Sequence, residues 1–158
     1  MNAHNGITLR AARRDDAEGI ARCNVALAKE TEHFDLDFER TLRGVRAMFD
    51  DASKGFYLLA ETGGTVAGQL MITYEWSDWR NGVFWWFQSV YVHPEHRRSG
   101  VFRALYERIV SDARSAGNVC GLRLYVEREN ERAREVYRTL GMKSTVYDLM
   151  EVDFIITR

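Results

Sequence analysis

The stretch VYVHPEHRRSGVFRAL, residues 90–105, joins a strand to a helix and decides how the rest of the chain is interpreted. The apolar strand ends at Pro94, because proline cannot donate a hydrogen bond to a neighbouring strand. An amphipathic helix is predicted from about Ser99 to Ala116, with apolar residues at helical spacing along one side. Two arginines and a glycine stand at the junction, and a loop that only turns a corner does not need two cations.

The start of this helix has the properties of an anion site. Its first backbone N–H groups have no partner within the helix and lie at the positive end of the helix dipole. Gly100 allows a phosphate to approach the backbone, and Arg97, Arg98 and Arg103 add positive charge around it. The loop lacks the glycine patterns of nucleoside triphosphate and dinucleotide sites. Taken alone, these residues favour a solvated basic turn that contains a glycine over a phosphate site, because arginines near a glycine are common.

The pattern on either side of the junction predicts a mixed α/β domain. Gly63 and Gly64 predict a tight hairpin between strands at 55–61 and 65–75, because Gly-Gly supplies the positive φ angles of such a turn. The run VFWWFQSVYV (83–92) is typical of a central strand covered on both faces. We expect helices on both faces of a mostly antiparallel sheet. The other predicted elements are a strand at 7–12, helices after Asp15 or Asp16 and near Asp37, a strand at 121–126, a short helix between Asn130 and Gly141, and one or two closing strands over 144–157.

The composition limits the class of protein. The 158 residues are 46% hydrophobic and 28% charged with a formal net charge of −1, which predicts one domain, 1–158, with its core at about 7–157. No basic excess is present, so no nucleic-acid partner is expected. The sequence contains no run of about 18 apolar residues, so no membrane span is predicted. Two distant cysteines and a start without a signal-like segment favour reduced thiols in a cytoplasmic protein, and HPEH (93–96) lacks the spacing of a metal site.

Two segments together resemble the GCN5-related N-acetyltransferase (GNAT) family. Residues 90–105 are similar to that family's acetyl-CoA loop, Arg/Gln-x-x-Gly-x-Gly/Ala, although Phe102 stands where Gly or Ala is usual. About thirty residues later, VERENERAREVYRTLGM (126–142) is similar to the family's Asn-x-x-Ala-x-x-x-Tyr-x-x-x-Gly-Phe segment, with Met142 in place of Phe. The element order agrees over nearly the whole chain. The resemblance implies an α/β (α+β) fold with splayed central strands and an acetyl-CoA-dependent N-acetyltransferase.

The resemblance also implies which residues hold acetyl-CoA and which act on it. The strand before the loop would bind the pantetheine arm through its main chain, and the loop amides would bind the diphosphate. Tyr137 maps to the family's general acid, which protonates the leaving sulfur. Without the family, Tyr137 is explained as a core aromatic and Asn130 as a helix cap. The expected cofactor-binding residues are Val90, Tyr91, Val92, Arg97, Arg98, Ser99, Gly100, Val101, Phe102, Arg103 and Asn130.

The general base and the acceptor pocket are less marked in the sequence. An amine with a pKa of about 10.4 is mostly protonated near pH 7, so a group must accept a proton. The central strand carries no carboxylate. Glu75, at the end of the preceding strand, is the first candidate for the base, and Glu30, Glu32 and Asp78 follow it. The four tryptophans, which are Trp76, Trp79, Trp85 and Trp86, fit core packing, an acceptor pocket or a dimer interface. The expected acceptor-binding residues are Glu30, Glu32, Trp76, Asp78 and Trp86.

Three functions remain open at this point. The first is transfer of the acetyl group to an amine, with a small molecule favoured over a peptide or lysine, by direct attack in a ternary complex. The second is a non-catalytic module that binds or senses acyl-CoA on the same fold. The third is a nucleotide-binding protein that uses the same loop. A homodimer is left open.

Overall fold

The computed structural model describes residues 6–156, and the predictions that concern residues 1–5 and 157 lie outside this part of the chain. The chain divides after Tyr125 into two compact units. The strands of the first unit are β1 (Ile7–Ala11), β2 (Phe56–Thr62), β3 (Thr65–Ser77), β4 (Gly82–Val92) and β5 (Val119–Leu124). Its helices are α1 (Ala17–Glu32), α2 (Phe38–Asp50) and α3 (Val101–Ser115). The second unit contains α4 (Glu131–Thr139).

The sheet has the strand order β1-β2-β3-β4-β5. Neighbouring strands are antiparallel except β4 and β5, which are parallel. The hairpin prediction is confirmed, since β2 ends at Thr62, β3 begins at Thr65, and Gly63 and Gly64 have φ angles of 59° and 82°. These two left-handed residues match the right-handed twist of the flanking strands.

Helices cover both faces of the sheet, as the sequence predicts. Tyr57 and Leu59 of β2 share one core cluster with α1 and α2. The intervening residues of β2 point to the opposite face, where Gly68 of β3 pairs with Ala60. The Cγ1 atom of Val101, in α3, lies only 2.9 Å from the place that a Cβ on Gly68 would take. Glycine at 68 therefore lets α3 lie close against this face.

The central strands splay apart, as the family resemblance implies. The register between β4 and β5 ends at the pair Phe87–Leu124, whereas β4 continues to Val92. A bulge in β4 shifts its register against β3 between Gln69 and Met71. Beyond Phe87, the edge of β4 that faced β5 is therefore left without a strand partner among residues 6–156.

Two predicted boundaries are displaced for identifiable reasons. Helix α3 begins at Val101 rather than near Ser99, because Arg98 and Gly100 have φ angles of 65° and 87°, which no α-helix accepts. Strand β5 spans Val119–Leu124 rather than 121–126, because its pairing with β4 starts at Val83 and stops at the splay.

The predicted closing strands are wrong for residues 144–156, where the structure has no strand. The alternating apolar residues there are exposed, and Val146 and Met150 are more than nine-tenths accessible. The backbone N–H groups of Ile155 and Ile156 instead donate to the carboxylate of Asp153, at 2.7 Å each. Such local side-chain bonds compete with a strand ladder, so alternation alone did not determine the structure.

Candidate active site

The loop before α3 has a backbone suited to an anion. Arg98 and Gly100 are left-handed residues on either side of Ser99, and such alternation turns successive N–H groups toward a common point. The Ser99 hydroxyl donates to the carbonyl oxygen of His96 at 2.5 Å and closes the turn. Gly100 is the N-cap of α3, and its carbonyl accepts from the Ala104 N–H at 2.9 Å. The predicted loop residues 97–103 thus lie together at the start of the helix, where the dipole favours negative charge.

Arg97 ties this loop to two other elements. Its Nε donates to the Val92 carbonyl at 2.9 Å, and its Nη2 forms an ion pair with Glu30 of α1 at 2.6 Å. The Tyr91 hydroxyl donates to the other Glu30 oxygen at 3.4 Å, and burial together with the Glu30 charge raises the pKa of Tyr91. Glu30, which the sequence placed with the acceptor, therefore contacts the predicted cofactor loop.

The end of β4 presents its main chain to the splay. The His93 N–H donates to the Ala67 carbonyl of β3 at 2.9 Å. Because hydrogen-bonding directions alternate along a regular strand, the backbone groups of Tyr91 also face β3, and those of Val92 face away from it. Val90 lies in the bulge, where this alternation is interrupted. The bond from Arg97 to the Val92 carbonyl agrees with this alternation. The Val92 N–H can therefore bind an extended chain lying beside β4.

A buried polar network that the sequence analysis missed supports the bulge. Gln69 is fully buried, and its Nε2 donates to the Asn24 Oδ1 of α1 at 2.8 Å and toward the Ser89 carbonyl at 3.4 Å. Ser89 has a φ of 48°, which is unusual for a residue other than glycine. The sequence signal for this network was Gln69 itself, a glutamine inside an otherwise apolar strand. The network fixes the point where β4 bends away from its neighbours.

Glu75, the predicted base, lies on the sheet face that α1 and α2 cover. Its Oε1 accepts from Nη1 of Arg123 at 2.6 Å, and its Oε2 accepts from Nε1 of Trp86 at 2.6 Å. The Arg123 guanidinium lies 3.6 Å from the centroid of the Phe84 ring, and the Trp86 ring lies 4.4 Å from that of Tyr125. Arg123 was also missed, although an arginine inside the apolar strand GLRLYV was visible in the sequence.

The remaining predicted acceptor residues do not join this group. Trp76 is 60% exposed, and Asp78 lies in the turn after β3, where it accepts from the Trp79 N–H at 2.8 Å. Glu32 is the exposed last residue of α1. Trp85 instead makes an edge-to-face contact with Phe56, at 5.4 Å between ring centroids. Trp86 is the tryptophan that donates a hydrogen bond to the predicted base.

The second unit holds the other predicted catalytic residue. Asn130 caps α4, since its Oδ1 accepts from the Ala133 N–H at 3.0 Å. Tyr137 lies on the next turn of the same helix and is half-buried. Burial raises the pKa of its phenol above the usual value of 10.0, so the hydroxyl keeps its proton at neutral pH. A phenol in this state can donate a proton.

Three further features concern metal-binding groups, the Cys23 thiol and membrane-spanning helices. Among residues 6–156 there is no group of three or more His, Cys, Asp or Glu side chains that could hold a metal ion. Burial raises the pKa of the Cys23 thiol to about 11, so it is protonated near pH 7, and its Sγ lies 3.6 Å from Nε2 of His93. Within the same range, none of the helices has the length and apolar character needed to cross a membrane.

The fold, together with the loop 97–103 before α3, is that of a class of acetyltransferases. The acetyltransferase (GNAT) family profile matches residues 20–142, and the chain belongs to this family. The structure of a possible acetyltransferase from Clostridium difficile 630 is 45% identical, with a TM-score of 0.87 over 95% of this chain and 99% of that one. A predicted acetyltransferase from Clostridium acetobutylicum, solved with acetyl-CoA, shares the fold with a TM-score of 0.76 and 16% identity over 93% of this chain and 96% of that one.

One curated relative has a named activity. The L-amino acid N-acyltransferase MnaT of Escherichia coli (strain K12) is 32% identical over 96 residues. The match covers 56% of this chain and 50% of that enzyme, so the chain matches about half the length of this relative.

Proposed function

We propose that this chain transfers the acetyl group of acetyl-CoA to the amine of a small molecule, by direct attack in a ternary complex. The observation that carries the proposal is the loop 97–103 with its two left-handed residues, set at the start of α3 and beside the free end of β4. Membership of the GNAT family supports acetyl transfer. The name of the related E. coli enzyme, an acyltransferase for L-amino acids, supports a small acceptor.

The residues present fit acetyl-CoA. Val90, Tyr91 and Val92 would hydrogen-bond the pantetheine arm through their main chain, and the amides of residues 98–103 would hold the diphosphate. Arg97, Arg98 and Arg103 add the positive charge that the phosphates require. Asn130 would contribute from the start of α4. The proposal treats 1–158 as one N-acetyltransferase domain in the cytoplasm, and dimerisation stays a prediction.

The reaction assigns one proton to each of two residues. The neutral amine nitrogen attacks the thioester carbonyl, so a C–N bond forms and the C–S bond breaks. The sulfur leaves with the electron pair of that bond and takes a proton from the Tyr137 hydroxyl. The amine nitrogen loses one proton to Glu75, directly or through water, and the phenol recovers its proton from solvent. The protonated, buried thiol of Cys23 is a poor nucleophile, which disfavours an acyl intermediate on this cysteine.

One observation favours the alternative of an acyl-CoA sensor. Both oxygens of Glu75 already accept short hydrogen bonds from charged or aromatic donors, as expected of a structural carboxylate. A sensor would bind acetyl-CoA through the same loop and transfer nothing. Tyr137→Phe separates the two functions, because only a transferase loses turnover while it keeps cofactor binding.

Calorimetric titration with acetyl-CoA, ATP and NAD tests the cofactor. We expect acetyl-CoA to bind at least tenfold more tightly than ATP or NAD, because only coenzyme A has an arm that reaches β4. Arg103→Gln, in the first turn of α3, should weaken acetyl-CoA binding severalfold. Arg108→Gln, in an exposed ion pair farther along α3, should not. Equal binding of ATP and acetyl-CoA would favour a nucleotide-binding protein and contradict the proposal.

A further inference from the structure

The ion pair between Glu75 and Arg123 lies on an open part of the sheet. The register places Arg123 opposite Trp86, and Glu75 opposite Phe84, so all four side chains point to the face of α1 and α2. The exposed fractions of the Arg123 and Glu75 side chains are 29% and 43%. The next pair along the two strands, Phe87–Leu124, is the last before the splay.

This pair has unused hydrogen-bonding capacity of both kinds. A guanidinium carries five N–H donors, and among residues 6–156 Arg123 uses one of them, on Glu75. Each Glu75 oxygen accepts one hydrogen bond and keeps a further lone pair. A ligand on this face would therefore find donors for an anion next to acceptors for a cation.

The pair is held in place by its neighbours. Phe84 supports the flat face of the Arg123 guanidinium, and the Trp86 indole N–H fixes the Glu75 carboxylate. Neither side chain has to lose much conformational freedom when a ligand binds, and such preorganisation favours binding. Arginine in a fixed position also suits a carboxylate better than lysine does, because it offers parallel donors.

We propose that Arg123 and Glu75 bind a zwitterionic acceptor, an α-amino acid, with its carboxylate on Arg123 and its ammonium on Glu75. This inference rests on the proposed function, and it names the acceptor class. The two charges of an α-amino acid are separated by one carbon, and the pair presents its complementary charges side by side. Glu75 then accepts a first proton from the ammonium, before the nitrogen attacks, and passes it to solvent. It is thereby free to accept the second proton, which the nitrogen loses as the C–N bond forms. Trp86, which is partly exposed, contacts the rest of the acceptor.

Matched acceptors test the role of Arg123 in turnover. Each common L-amino acid is compared with its α-amide, whose amine is less basic and is more often neutral near pH 7. We expect wild type to prefer the acid, and Arg123→Gln to lower kcat/KM for the acid about 10- to 100-fold. The loss for the amide should be several times smaller, because the amide has no carboxylate for Arg123 and loses only the support that Arg123 gives to Glu75. The KM of acetyl-CoA should not change, and Arg108→Gln should behave as wild type. Equal rates with acid and amide in wild type, or an equal loss for both in Arg123→Gln, would overturn the inference.

A binding measurement separates this inference from the proposed function. The indole N–H of Trp86 donates to Glu75, so its ¹⁵N–¹H signal, assigned with Trp86→Phe, should shift when an amino acid binds. With the α-amide, or with Arg123→Gln, the shift should require about tenfold or more ligand, because the ammonium still reaches Glu75 but the contact between the carboxylate and Arg123 is lost. A shift without any turnover would refute the transferase and leave the amino-acid site standing. No shift with any amino acid would overturn the site, whatever the turnover.

Discussion

At the scale of single residues, Arg97 connects the loop 97–103 to helix α1. Its guanidinium is shared between the Val92 carbonyl and Glu30, and Glu30 also accepts from the Tyr91 hydroxyl. The sequence analysis assigned Glu30 to the acceptor, because acidic residues suit a cationic amine. The structure places it beside a loop proposed to hold a diphosphate. A carboxylate there opposes the binding of a second anion.

Glu30→Gln should therefore strengthen acetyl-CoA binding. Removal of one negative charge beside the loop is expected to lower the Kd about two- to fivefold at low salt, and less at high salt because surface charges are screened. Calorimetry at two salt concentrations measures the effect. Glu18→Gln, at the other end of α1 and paired with Arg22, is the matched control and should change nothing. If Glu30→Gln raises the KM of the amine and leaves acetyl-CoA unaffected, the residue belongs to the acceptor site instead.

Cys23 should make the protein less stable as the pH rises. Burial raises the pKa of its thiol from 9.0 in the unfolded chain to about 11 in the folded protein. The folded state therefore keeps a proton that the unfolded state loses, and the free energy of unfolding falls by about 1 kcal/mol between pH 8 and 10. Urea unfolding at several pH values measures this slope. In Cys23→Ala, the fall in the free energy of unfolding between pH 8 and 10 should be smaller by about 1 kcal/mol. An unchanged fall would contradict the attribution of this pH dependence to Cys23.

At the scale of elements, the two ends of α3 provide a test of the cofactor loop. Gly100 at its start and Gly117 after its end have φ angles of 87° and 75°, and a Cβ would meet no atom within 4 Å at either position. Alanine at either site is expected to cost about 1–2 kcal/mol of stability, because left-handed backbone is unfavourable for residues with a Cβ. The two substitutions are thus matched in strain and differ in location.

Gly100→Ala should raise the KM of acetyl-CoA at least tenfold, because the loop amides shift and the methyl group occupies the approach to the backbone. Gly117→Ala should lower the free energy of unfolding by a similar amount and leave the KM unchanged. Steady-state kinetics with denaturant unfolding measures both quantities. An equal change of KM in the two variants would mean that strain in α3, and not the loop, controls binding.

The sequence predicted helices and strands well where a residue at the element's own end determines the local backbone. Gly63 and Gly64 define the hairpin, and Asp37 caps α2 by accepting from the Arg40 N–H at 2.6 Å. The start of α3 could not be placed, because the left-handed conformation of Arg98 is imposed by its surroundings and not by its identity. The partners of Glu75 were also hidden, since Arg123 lies 48 residues away and meets it only through the sheet.

At the scale of the whole molecule, bound acetyl-CoA should stabilise the fold. The ligand would bind residues of β4, the loop and α3, which come together only in the folded chain. At a concentration of about 100 times its Kd it adds about 2.7 kcal/mol to the free energy of unfolding. For a chain of this length, that corresponds to a rise in Tm of about 5–10 °C. Thermal unfolding with acetyl-CoA and with ATP at the same concentration measures the effect, and equal shifts would contradict a coenzyme A site.

The central claim is that this chain moves an acetyl group to an amine with Tyr137 as the acid. The direct measurement is the initial rate of thiol release from acetyl-CoA across amino acids, polyamines, aminoglycosides and short peptides. Wild type should respond to one class of acceptor, and Tyr137→Phe should lower kcat about 100-fold with the KM of acetyl-CoA unchanged. Tyr147→Phe, an exposed tyrosine of the same unit, should match wild type. Bound acetyl-CoA without thiol release for any acceptor, or full activity of Tyr137→Phe, would contradict the claim.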